Sequence, residues 1–413
     1  MLPLPCPPVA RRGPARQQTA HRGGGRPSLP QRPARTHRRH GRRPDRLDRE
    51  GPVSRPTITG LSTSWVRVPL GAGRGGSGAT QVDLLHVTLT DDEGATGTGF
   101  TYALTGGAEA LYALLTGLIK EKAEGTELDA WPRRWHEIAA ATRRLGKGVA
   151  LPALSAADIA VWDLRARRAG LPLYRFIGAH TDTVPVYGSG RSTHAMSVEE
   201  LIEGSRTYVA EGYDAVKLRV GARRAEEDVA RVRAVREALG DDLRIMVDCN
   251  ERLDLPTAVW LGRRLDDLGV YWMEEPLPAD DLAGHAQLAT RQGVPIAVGE
   301  HLHGRHEFAH YLREGAASVL QPDVPLCGGV TEWLRISAVA EVFGAVLTPH
   351  FLPELHVNLA AAVPNCAYIE HFPLIDEVLA ETLPISGGVA APPDRPGHGM
   401  LWDTAALDRL RHA

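Results

Sequence analysis

Seven positions carry the side chains with which this sequence could do chemistry: Lys217, Asp248, Glu274, Glu300, Asp323, His350 and Glu370, each near the end of a short apolar run. The steps between them are 31, 26, 26, 23, 27 and 20 residues. Asp248, Glu274 and Glu300 are carboxylates in succession. Any one alone would read as a helix cap or a salt bridge. Buried together without a counter-ion, three negative charges repel and take up protons. A divalent cation resolves that conflict, and an all-oxygen donor set favours a hard ion, Mg²⁺ or Mn²⁺, over zinc. Asp323 and His350 pair a carboxylate with an imidazole, which orients the ring and raises its basicity. Lys217 and Arg219 bring positive charge from the other side, and Glu370 closes the ring.

The spacing says what must position them. TVPVYGSG, AVKLRV, RIMVDCN, VYWMEEP, PIAVGE, SVLQPDV, AVLTPH and AYIEHF are apolar runs separated mostly by amphipathic segments such as SVEELIEGSRTYVAEG. Strands alternating with helices at one unit per step predict a (β/α) barrel, whose strand ends open into the mouth where sites form. Residues at i and i+2 share a strand face, so Lys217/Arg219, Asp248/Asn250 and Gln321/Asp323 are expected inward pairs. Upstream, TITGLSTSWVRVPL and TQVDLLHVTLTDDEG predict two strands joined by GAGRGGSGA. That loop holds Gly71, Gly73 and Gly76 in a GxGxxG pattern, but a strand follows rather than a helix, so it is read as a mobile hairpin loop and not a dinucleotide site. Ala108 to Phe176 is helical by period. The expected organisation is a disordered extension over 1–55, an α+β domain over 56–182, the barrel over 183–372 and a loop-rich tail, 373–413 (LPISGGVAAPPDRPGHGMLW), packing back on the first domain.

Charge is uneven. Residues 1–50 hold 13 Arg, no Lys and 3 acids, whereas the remainder holds 34 bases and 47 acids. The Arg/Pro/Gly-rich start has no hydrophobic period and is read as disordered, most simply a non-native extension. Arg11-Arg12 is followed by no apolar run and so is no export signal. A net charge of −13 on the rest opposes nucleic-acid binding. No run approaches the ~18 apolar residues of a membrane span. Cys6, Cys249, Cys327 and Cys366 form no CxxC pair, which fits a reducing cytoplasm.

On these residues the sequence resembles the enolase superfamily, mandelate racemase subgroup, from about Pro56 onward. SAADIAVWDLRARRAGLPLYRFIGA resembles that family's segment before the barrel, and WMEEP, VGE, QPD, GGVTEW and the histidine after Thr348-Pro349 stand where the family has them. The resemblance implies an α/β fold: a (β/α)7β modified TIM barrel with an N-terminal α+β capping domain completed by the C-terminal tail. It implies metal ligands Asp248, Glu274 and Glu300, a His350–Asp323 dyad as base, and Glu370 hydrogen-bonded to a substrate carboxylate. It further implies capping loops, GAGRGGSGA among them, that close over a small-molecule carboxylate, and homo-oligomers from dimer to octamer. The general scheme of this superfamily is metal-assisted formation of an enediolate by a Lys or His base. Mg²⁺, Lys217 and Glu370 would stabilise that charge.

One departure matters. Mandelate racemase has Lys-x-Lys, with the second Lys a base; here the motif is Lys217-Leu218-Arg219. Arg stays protonated and is a poor base. A racemase needs a base on each face, whereas one histidine can serve both steps of a dehydration. The preferred expectation is therefore dehydration of an acid sugar to a 2-keto-3-deoxy product, with Lys217 as a base only if its neighbours lower its pKa. A racemase, epimerase or cycloisomerase of the same superfamily is the alternative. Arg219, Asn250, His301 and His303 are expected at the substrate. A more distant reading takes His301-Leu302-His303, with His306 and His310, as a zinc amidohydrolase signature, although that class carries its pair on the first barrel strand and here it follows the fifth.

Overall fold

The computed structural model describes residues 55–70 and 79–413. The arginine-rich extension and the core of the glycine loop, 71–78, lie outside the described residues, as do the disorder and loop readings made for them. β1 (Ile58–Pro69), β2 (Gln81–Asp91) and β3 (Thr96–Ala103) form an antiparallel sheet in that order. Both faces are covered, so alternate residues enter different cores. Val82 and Leu84 join a cluster that continues into the barrel wall, while Leu85, Val87 and Leu89 pack on the helical layer with Trp131, Trp135 and Leu154.

The helix Lys147–Arg168 is clamped against β3. Gly97 and Gly99 make this possible: a Cβ at Gly99 would stand 2.2 Å from the Ala156 carbonyl oxygen, and one at Gly97 2.4 Å from that of Ala160. The far side of the same helix reaches the barrel. Buried Asp158 accepts hydrogen bonds from Trp131 Nε1 (2.8 Å), Thr331 N (2.8 Å) and Thr331 Oγ1 (2.6 Å).

The barrel strands are β4 (Val184–Gly188), β5 (Ala215–Arg219), β6 (Arg244–Asp248), β7 (Met273–Glu274), β8 (Ile296–Val298), β9 (Val319–Leu320), β10 (Val346–Leu347) and β11 (Ile369–His371). They pair in parallel from β4 through β10, and β11 pairs with β4. The seam between β10 and β11 is one bridge, Leu347 to Cys366. Helices alternate with the strands; the first, Val198–Ala210, opens on a capping box in which Ser197 and Glu200 satisfy each other's backbone N–H. The barrel floor is an apolar layer of Tyr187, Ala215, Met246, Trp272, Ala297, Val319 and Tyr368. Period two then sets the next layer: Lys217 stands above Ala215, Asp248 above Met246, Glu274 above Trp272, Gln321 above Val319 and Glu370 above Tyr368.

The tail is less irregular than its composition predicts. Gly387-Gly388 turns a short hairpin, Ile385–Ser386 with Val389–Ala390, whose second strand pairs antiparallel with β4. Residues 410–413 run along the outer edge of β1, with Trp65 N donating to Ala413 O (2.7 Å) and His412 N to Trp65 O (2.7 Å). No helix among the described residues is long and apolar enough to cross a membrane.

Gly99→Ala inserts a methyl group into main-chain atoms that have no side chain to move. It should cost about 2–3 kcal/mol of stability, read as a lower urea midpoint by circular dichroism; an unchanged midpoint would mean that helix and sheet are not held this close.

Candidate functional site

The polar layer above the barrel floor brings the expected residues to one place. Ligand oxygens of Asp248, Glu274 and Glu300 lie within 4.8 Å of one another. Lys217 is fully enclosed; its Nζ is 2.6 Å from Glu274 Oε1, 2.9 Å from Glu370 Oε1 and 3.6 Å from Asp248 Oδ2. Glu274 Oε2 accepts from Trp272 Nε1 (3.2 Å) and Gln321 Nε2 (2.7 Å). The Arg219 guanidinium pairs with Asp248 Oδ2 and donates to Asn250 Oδ1 (3.0 Å).

His350 stands across the mouth. Its Nδ1 meets Asp323 Oδ2 at 3.0 Å, and its Nε2 lies 3.1 Å from Glu300 Oε2. The ring stacks on Phe351 at 3.6 Å. Above this layer a cavity of about 330 Å³ is lined by Arg219, Asn250, Glu300, His301 and His350 from the barrel, and by Leu70, Leu104 and Thr105 from the sheet domain. His303 does not line it, contrary to the expectation; the residue sits against the start of the helix Lys147–Arg168, with Gly148 beside its ring. The two histidines of the His301-Leu302-His303 run therefore do not converge as a zinc pair.

Two groups here were not anticipated. Tyr102, on β3, donates to Asp323 Oδ2 from 221 residues away, a link that no sequence spacing announces. Glu251, Glu275 and His301 form a second cluster at the rim, with His301 Nδ1 2.8 Å from Glu275 Oε1. Glu275 is the second Glu of EEP, and its neighbour rule was available: consecutive strand-end residues point opposite ways.

Backbone strain concentrates at the same ring. The non-glycine residues with positive φ among those described are Asn250, Glu251, Glu275, Phe351 and Leu352, all just beyond barrel strands. The turns they make aim main-chain donors inward: Asn250 N donates to Asp248 Oδ1 (2.9 Å) and Phe351 N to Glu370 Oε2 (2.9 Å).

The electrostatics ask for more positive charge. Asp248, Glu274, Glu275, Glu300, Asp323 and Glu370 crowd one mouth against two permanent cations, Lys217 and Arg219. Burial pushes the Glu274 carboxyl up to about 8, reinforced by Asp248, Glu370 and Glu300, although Lys217 pulls the other way. Burial acts likewise on Asp248, but Arg219 and Lys217 outweigh it and hold that carboxyl low. Holding all three carboxylates ionised would take a further cation, and their oxygen-only donor set fits Mg²⁺. Burial alone would lower Lys217, yet Glu274 and Glu370 hold its ammonium well above its usual range, so its neighbours do not make it a base. Burial would also lower His350; Glu300, Asp323 and Glu370 overcome it and raise the ring to about 9. Lys217, His350 and Phe351 N keep Glu370 ionised against its burial. To donate to a substrate carboxylate it must first gain a proton.

The chain matches known proteins over both of its parts. Residues 57–178 match the mandelate racemase/muconate lactonizing enzyme N-terminal domain, and residues 200–406 match the enolase C-terminal domain-like family. The chain is 35% identical over 330 residues to the 3,6-anhydro-alpha-L-galactonate cycloisomerase of Streptomyces coelicolor, covering 79% of this chain and 91% of that one. It is 35% identical over 328 residues to the L-talarate/galactarate dehydratase of Salmonella typhimurium, covering 79% and 82%. Among solved structures, L-talarate dehydratase from Polaromonas sp. JS666, complexed with Mg and L-glucarate, superposes with a TM-score of 0.81 at 33% identity, covering 87% of this chain and 98% of that one.

Asp248→Ala should weaken Mg²⁺ binding by at least about 100-fold in calorimetry, and wild-type affinity in that variant would remove Asp248 from the ligand set. The pH dependence has a definite sign. A dication on Glu300 competes with the His350 proton, so Mg²⁺ affinity should rise between pH 7 and 9, by up to about tenfold per unit for one proton released. A flat profile would show that the ring and the cation do not share Glu300.

Proposed function

The chain belongs to the mandelate racemase/muconate lactonizing enzyme family, with its enolase-like C-terminal domain, and from that premise we propose that it removes the α-proton of a carboxylate substrate and dehydrates an acid sugar. The observation that carries this reading is the asymmetry of the mouth. One wall holds an imidazole oriented by a carboxylate, His350 on Asp323. The position where a second base would stand holds Arg219, locked to Asp248 and kept protonated. A single base suits elimination better than inversion. The resemblance to dehydratases of talarate and galactarate supports a sugar acid as substrate, and the sugar-acid cycloisomerase likeness supports the same first step.

In this reading Asp248, Glu274 and Glu300 hold the Mg²⁺, which supplies positive charge against the oxyanions that develop on the substrate. His350 Nε2 takes the α-proton; the C–H bond breaks and its electron pair moves into the carboxylate, giving an enediolate. Asp323 accepts the Nδ1–H and so fixes the tautomer with the lone pair on Nε2. The Lys217 ammonium faces the growing charge. Glu370, 2.9 Å from Lys217, would donate to the substrate carboxylate after taking up a proton from water, an uptake that the substrate's negative charge favours. His350 then returns its proton to the β-hydroxyl as the C–O bond breaks. Water leaves, and the enol becomes the 2-keto-3-deoxy acid. Arg219, Asn250 and His301 line the cavity and are assigned to the sugar hydroxyls and distal carboxylate. Residues 56–182 serve as the cap and 183–372 as the barrel, while 373–413 joins both, its hairpin on β4 of the barrel and its last residues on β1 of the cap.

The test is a screen of mono- and diacid sugars with Mg²⁺, reading 2-keto product. His350→Asn should retain Mg²⁺ binding and lose turnover by about 10³-fold or more. Full activity in that variant would dismiss the base assignment. Deuterium exchange or ring opening with no loss of water would favour racemisation or cycloisomerisation instead.

A further inference from the structure

The Asp323 carboxylate does not answer to His350 alone. Tyr102 is 3% exposed and donates its O–H to Asp323 Oδ2, the same oxygen that meets His350 Nδ1. Asp323 Oδ1 is buried and has no hydrogen-bond partner among the described residues. The protein contacts that set the carboxylate's orientation, among the described residues, are the two on Oδ2. The neighbouring Thr101 Oγ1 donates to Pro325 O (2.9 Å), which binds β3 to the turn that follows Asp323. Two and three residues beyond Tyr102, Leu104 and Thr105 line the substrate cavity. One short stretch of the antiparallel sheet thus touches both the substrate space and the orienting carboxylate of the barrel.

We propose that Tyr102 is a positioning residue: its hydroxyl fixes Asp323 so that His350 keeps its proton on Nδ1 and presents Nε2 to the substrate, which makes the base competent only while β3 is docked on the barrel. Burial and the adjacent carboxylate push the phenol far above its ordinary range, so Tyr102 stays a donor throughout. Without it, Asp323 is free to turn Oδ1 toward the ring or away from it, and the imidazole samples both tautomers. This inference rests on the dyad assigned above.

Tyr102→Phe removes one oxygen and keeps the ring. In the full-length, Mg²⁺-loaded enzyme it should lower kcat by about 10- to 100-fold while KM changes by less than about threefold, with the melting temperature nearly unchanged. A double-mutant cycle separates positioning from simple packing. In an Asp323→Asn background Tyr102→Phe should cost little more, because the group it acts through is already altered. Equal losses in both backgrounds, or a loss of activity that follows a fall in melting temperature, would overturn the proposal. A readout without substrate keeps it distinct from the reaction assigned above. In enzyme with ¹⁵N-labelled histidine, the His350 Nδ1–H resonance, identified by its absence in His350→Asn, should shift or broaden in Tyr102→Phe. If that signal stays in place and kcat is unchanged, Tyr102 has no such role. If the signal moves but wild-type enzyme dehydrates no sugar acid, the positioning role stands and the dehydration reading falls.

Discussion

Like charge crowded into a low-dielectric mouth is the constraint around which this molecule is arranged. Six carboxylates share the end of one barrel with a lysine and an arginine. Carboxylates taken out of water repel one another far more than they would at a surface. The barrel meets this in tiers. An apolar floor of Tyr187, Met246, Trp272 and Tyr368 excludes water from below. Lys217 sits centrally above it, bridging Glu274 and Glu370, and Arg219 stands one tier higher on Asp248. The remaining deficit of positive charge is what a bound dication supplies. Removing any one member changes the protonation of the others, so these residues act as a unit.

Strain is the second cost of the arrangement. Backbone held at positive φ by non-glycine residues costs about 1–3 kcal/mol at each position. The five such residues that are described here ring the site and occur nowhere else among the described residues. Their turns give Asp248 and Glu370 main-chain donors that cannot swing away as side chains can. Rigid packing elsewhere supports this, as in the glycine-to-alanine contact of β3 with its helix and the Asp158 network that joins that helix to the barrel.

Much of this was readable in the sequence because a barrel repeats. One strand and one helix per unit turn three-dimensional adjacency into a near-constant step, so Asp248, Glu274 and Glu300 announce themselves at intervals of 26 residues. The i, i+2 rule then selects the inward face, and the tiers above Ala215, Met246 and Val319 follow it. What was hidden lacks a repeat. Tyr102 reaches Asp323 across the boundary between two kinds of sheet, and no period connects them. His303 looked equivalent to His301, yet the turn after Glu300 sends it toward a helix start. The Gly387-Gly388 hairpin carried a turn signal that a loop-rich composition masked.

The pairing of residues 410–413 with β1 has a consequence for how the domain is assembled. Residues 410–413 complete the exposed edge of β1, whose Trp65 is made 348 positions before Ala413. A ribosome adding about 5–20 residues per second needs roughly 20–70 s to cover that distance. Residues 124–126 already serve the Ile58–Leu61 end of that edge, so it is the Trp65–Arg67 stretch whose N–H and C=O groups lack these partners until then, the kind of edge that recruits other strands. Completion of this sheet therefore waits on a segment synthesised hundreds of residues after it, which makes the pairing of β1 a late event in the folding of the domain.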